Sequence, residues 1–107
     1  MANTFTSHQA LVNSSPVTIY TVPAATTAVV IGLRIGARLT QDVLVEANLD
    51  RAGIKTKIIG LDTPIPVGAA LAGMQGEKLV LLAGDFIEIS GSLDACADAT
   101  LSVMEMT

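Results

Sequence analysis

Apolar and polar residues alternate with a period of two from Ile31 to Asp50, and no stretch of the chain sustains a period of 3.6. Ile31, Leu33, Ile35, Ala37 and Leu39 share one parity, with Gly32, Arg34, Gly36 and Arg38 between them. Val43, Val45, Ala47 and Leu49 repeat the pattern against Glu46, Asn48 and Asp50. Successive side chains of a strand point to opposite faces, so each row predicts a half-buried strand. Such a chain must bury its apolar rows by stacking sheets.

The remaining segments extend the reading. Val17, Ile19 and Thr21 form an earlier row, with Tyr20 on the opposite parity. Residues 54–59 carry Lys55 and Lys57 on a wet face, residues 78–82 and 86–90 flank a break at Ala83-Gly84-Asp85, and residues 100–106 close the chain. "RAG" at 51–53 sits at hairpin spacing. "DTPIPVG" at 62–68 places two prolines in a loop or edge segment, where no ladder donor is needed. Short helical turns are expected only near 66–72 and 93–97. The fold expected is all-β: an antiparallel β-sandwich, jelly-roll or Ig-like, or a small barrel, with seven to eight short strands. Residues 15–107 make one domain. Residues 1–14 are either its first strand or an extended arm reaching a neighbour.

Several strands are apolar on both parities: residues 27–31, residues 58–61, and Leu79 to Leu82. One packed face requires one apolar parity; two require that something covers both. Neighbouring subunits are the expected cover, and a closed barrel or covering loop is the alternative. Aromatic residues are 3% of the chain, so an interface would be broad and aliphatic.

Charge and chemistry exclude more than they include. Charged residues are 15% and hydrophobic residues 50%, which does not fit a disordered chain. No apolar stretch approaches the ~18 residues of a membrane helix, and the N-terminus has neither the basic nor the apolar region of a signal peptide. A net charge of −4 with six Lys and Arg predicts no nucleic-acid partner; Arg51, Lys55 and Lys57 read as a solvated or partner-facing strand. The lone histidine, His8, has no nucleophile-elbow motif to serve, and it reads as a surface or internally satisfied ring. Cys96 reads as a buried or loop thiol of a chain folded without disulfides, in a reducing compartment. One His and one Cys cannot close a zinc site. Asp94 and Asp98 lack the spacing of a calcium loop. "GMQGEK" at 73–78 lacks the spacing of a phosphate-binding loop, and Asp85 and Glu88 stand on opposite parities. No enzyme activity, cofactor or metal is expected.

"MANTF", "TIYTVPAATTAVVIGLRI", "TPIPVGAAL", "GEKLVLLAGDFIEISGS" and "ATLSVMEMT" occur in this order along nearly the whole chain. As a set they resemble small tailed-bacteriophage virion proteins. In those, a "YTVPAGTTA" strand end precedes an aliphatic strand and a Pro-containing loop, and a Lys-led strand runs into a Gly-Asp turn. The chain departs from that pattern at Ala25, where glycine is common, and at Leu39-Thr40, where an Asn-rich turn is common. The resemblance implies a structural part of a phage particle, assembled in the bacterial cytoplasm and located in the virion. The acidic balance favours the outside of the shell over a DNA-facing position. The expectation is a capsid decoration or cement protein. A neck, tail or baseplate ring is the alternative, and a receptor- or glycan-binding module is the alternative of another class. Its partners would be further copies of itself, as a trimer or larger ring, together with the major capsid protein or other phage structural proteins. The residues expected at the interface are Phe5, Pro64, Ile65, Pro66, Leu71, Leu79, Val80, Leu81 and Leu82.

Overall fold

The computed structural model describes residues 3–72 and 79–107. Among these residues nine strands are formed: β1 (Asn3–Val12), β2 (Val17–Thr21), β3 (Thr27–Ala37), β4 (Val43–Arg51), β5 (Ile54–Ile65), β6 (Ala70–Ala72), β7 (Leu79–Leu81), β8 (Phe86–Gly91) and β9 (Ala97–Met106). They build two sheets whose pairings are all antiparallel. The first sheet runs β1-β9-β3-β6, with β7 also paired to β3; the second runs β2-β8-β4-β5. The molecule is therefore a β-sandwich. Among the described residues the chain has no helix.

The alternating rows explain the closure. Leu33, Ile35, Leu101 and Val103 of the first sheet and Val43, Val45, Ile87 and Ile89 of the second are all buried in one core. Burial of an aliphatic side chain of this kind contributes about 1.5–3 kcal/mol. Space at one end of this core is tight. A Cβ on Gly91 would stand 2.5 Å from the Cys96 Sγ and 3.0 Å from a Val12 methyl, so only glycine fits beside the buried thiol.

Three sequence-based expectations need correction, each for a local reason. Ile31 does not share the buried parity of Leu33 and Ile35: a bulge between Val30 and Gly32 turns it outward and sends Val30 into the core. A bulge between Thr18 and Tyr20 lets both Ile19 and Tyr20 be buried, which strict alternation forbids. β6 pairs Ala70 to Ala72 with β3 where a helical turn was expected, and the described residues form nine strands where seven to eight were expected. The edge alternative holds for Pro64: β5 continues through it to Ile65, because an edge strand needs no donor there. The N-terminal segment takes the first-strand alternative, with β1 lying along β9 from Asn3 to Val12.

Turns carry visible strain. Ala25 and Ala52 have φ of 57° and 53°, in the left-handed region that disfavours a Cβ. Ala52 and Gly53 (φ 83°) form the two-residue β4–β5 loop, with the positive-φ pair of a type I′ turn. Ala25→Gly and Ala52→Asn should each stabilise the fold by about 0.5–1 kcal/mol. Denaturant midpoints read this; an unchanged or lowered midpoint would show that these turns are unstrained.

Candidate interaction surface

The outward face of the first sheet contains one row that is apolar from edge to edge. Phe5 on β1 stands opposite Met104 on β9, Met104 opposite Val29 on β3, and Val29 opposite Val80 on β7. Directly opposed residues of antiparallel strands share a face. Inward neighbours confirm the side: Val30 and Val103 are buried, as are Ala28 and Leu81. Phe5 is 71% exposed, Val80 53%, Leu82 49% and Ile31 41%. Farther along the same face the rows turn polar, as in Ser7–Ser102–Gly32 and Gln9–Thr100–Arg34. The apolar patch therefore occupies one end of this sheet.

That end is held in place by the Ala83-Gly84-Asp85 turn. Gly84 takes φ 90°, which a Cβ would strain, and its N–H donates to the Val22 carbonyl at 3.1 Å. The Asp85 side chain is 5% exposed and receives the Arg51 guanidinium at 2.7 Å. Its Oδ2 also accepts the Leu82 N–H at 2.8 Å, and Arg51 reaches on to the Val80 carbonyl at 3.3 Å. One carboxylate thus ties the tip of the β4–β5 hairpin to the end of β7. Arg51 above all, and then the Leu82 N–H, hold the Asp85 carboxyl below its ordinary range.

The outward face of the second sheet is the chemical opposite. Lys55 donates to Glu88 at 2.7 Å, Lys57 pairs with Glu46, and Ser90 donates to Glu46 at 3.1 Å. The local basic stretch Arg51, Lys55 and Lys57 is thus spent on carboxylates of its own chain. The first sheet thus has an apolar patch at one end of its outward face, and the second sheet carries ion pairs on its own.

The expected interface residues separate into groups. Phe5, Val80 and Leu82 come together on the apolar patch. Pro64 and Pro66 are exposed but lie at the end of β5, in the other sheet. Leu71 and Leu79 are partly buried against the core, opposite Ile35 and Val30. Ile65 and Leu81 are corrections: they are 1% and 0% exposed because their parity points between the sheets, so neither offers surface to a partner. Sequence reasoning missed Met104, Val29 and Ile31. The signal for the first two was register, which no single segment contains; for Ile31 it was the bulge.

The residues screened for chemistry are engaged structurally. His8 Nε2 lies 3.0 Å from the Thr6 hydroxyl, and its ring packs on Tyr20 at 4.6 Å. Tyr20 donates to Glu105 at 2.5 Å, and burial together with that carboxylate raises its phenol pKa. Asp94 accepts from the Ser14 N–H and hydroxyl, and Asp98 pairs with Arg38. Among the described residues no group of His, Cys, Asp and Glu could hold a metal ion. No helix is long and apolar enough to cross a membrane, among the same residues. The "GMQGEK" segment lies outside the described residues. Comparison of the chain with protein-family models, with curated proteins and with solved structures finds no match.

Asp85 sets a pH limit. A carboxyl whose pKa is lower in the folded than in the unfolded chain stabilises the fold above the unfolded value, and that contribution is lost as the pH falls through the folded one. Asp85→Asn should cost about 1–2 kcal/mol at neutral pH. It should also flatten the stability loss below about pH 4, where the ordinary carboxyl value of 3.8 lies. Urea unfolding from pH 7 to pH 2 measures both. Parallel acid limbs for the two proteins would show that Asp85 is not the titrating link.

Proposed function

We propose that this chain is a structural subunit of a tailed-bacteriophage particle, acting as a capsid decoration or cement protein. Two lines support the reading. Its ordered segments resemble small phage virion proteins. Its sandwich leaves an apolar row, Phe5–Met104–Val29–Val80, facing outward on an otherwise self-contained fold. The row is the single observation that carries the proposal: contiguous exposed apolar surface of this kind marks a contact with another protein. The other sheet face, with its internal ion pairs, suits permanent exposure to water.

The mechanism is mass action. A subunit that binds only the assembled shell stabilises that state by its binding free energy. Many copies, each contributing a modest aliphatic contact, act together through avidity.

Quantitative mass spectrometry of particles purified from the source cells tests the reading. The chain should be present at a copy number that scales with the capsomers of the shell. A single ring of copies would move it to the neck, tail or baseplate, and absence from particles would end the proposal. Val80→Asp should lower incorporation by about 10-fold or more and leave thermal unfolding unchanged, since Val80 faces solvent.

A further inference from the structure

An edge strand presents unpaired N–H and C=O groups, and proteins blunt that hazard with short strands, prolines, lysines or bulges. The edges here are β2 and β5 in the second sheet, and β1 and the β6/β7 pair in the first. β2 is five residues long, follows Pro16 and is broken by a bulge. β5 carries Lys55, Lys57 and Pro64 and shifts register twice against β4. β6 and β7 have three described residues each. β1 has none of these devices. Its ten residues contain no proline, lysine, arginine or acid, and they run opposite β9 in ten consecutive pairs without a shift. Among the described residues β1 pairs with no other strand.

We propose that β1 is a self-pairing edge. Two copies of this chain join β1 to β1, antiparallel, about a two-fold axis perpendicular to the first sheet, and the sheet continues across the dimer. The occupant is a second copy because the strand complements itself. Asn3, Phe5, Ser7, Gln9 and Leu11 share the outward parity. A two-fold pairing keeps outward residues opposite outward residues only in registers whose paired numbers share parity. Centring the pair on His8 sets Phe5 against the partner's Leu11, and Ser7 against the partner's Gln9. That register covers the two exposed apolar side chains of the strand, Phe5 at 71% and Leu11 at 39%, with each other. On this face polar residues meet polar residues, and the one titratable side chain of the strand, His8, lies on the axis opposite the partner's His8 with the inward parity. An unrelated strand would need the same apolar spacing in reverse; a second copy has it by symmetry.

This deepens the assembly reading and rests on it only for scale, because the seam belongs to the isolated chain. Dimer formation and particle incorporation can therefore fail separately. Sedimentation equilibrium of the purified chain should show a dimer or multiples of one. Ser7→Lys with Gln9→Lys crowds lysines along the seam and should raise the dissociation constant by roughly 100-fold or more. Ile54→Lys on the β5 edge should leave it unchanged. Under mild oxidation, Phe5→Cys and Leu11→Cys chains should cross-link with each other and not with themselves. A monomer at all concentrations, a dimer indifferent to the two lysines, or self-linked Phe5→Cys chains would overturn the proposal. The cysteine pair decides the matter if the lysine variant does not fold.

Discussion

A sheet with apolar residues on both faces can be closed by one partner sheet on only one of them. Most of this molecule follows from how it handles that constraint. The second sheet covers the inward rows around Leu33, Ile35, Leu101 and Val103, and they become fully buried. The outward row from Phe5 to Val80 has no cover from the described part of the chain. Burying it would require a third layer, which the nine strands of the described residues, arranged in two sheets, do not supply. The second sheet avoids the problem by surfacing its outward face with Lys55–Glu88 and Lys57–Glu46 pairs. Exposed pairs of this type add little stability; their consequence is a face that stays wet.

The asymmetry reaches into the edges. Every edge except β1 is short, bulged or marked with lysine or proline, and β1 is also where the apolar row ends, at Phe5. Face and edge thus point to the same corner of the molecule. The Arg51–Asp85 link stiffens the opposite end of the row, fixing where Val80 and Leu82 stand relative to the second sheet. An assembling subunit needs its contact surface preorganised, because each mobile side chain or loop that must be ordered on binding weakens the contact.

Much of the fold was legible in local patterns. The rows at Leu33 to Ala37 and Val43 to Leu49 declared strands, and their inward parity is the one observed, but Asn48 and Asp50 of the parity expected to be wet are buried too. The doubly apolar segment Leu79 to Leu82 places Leu81 in the core and leaves Val80 and Leu82 outside it. What local patterns could not carry was anything set by pairing. The bulges at Ile31 and Ile19 depend on partner strands distant in sequence, and each flips a parity that alternation alone misassigns. The same reason split the candidate interface. Pro64 and Pro66 looked equivalent to Val80 as apolar residues near breaks, yet β5 and β7 lie in different sheets. Met104 became visible only when β9 was placed between β1 and β3.

The central claim is that the outward face of the first sheet is covered by other chains in the working state. Hydroxyl-radical footprinting of the free chain and of the chain in purified particles tests it directly. Labelling of Phe5, Met104 and Val80 is predicted to fall in the particle, while Ile54, 70% exposed on the second sheet's edge, stays labelled. Equal labelling of all four residues in both states would contradict it.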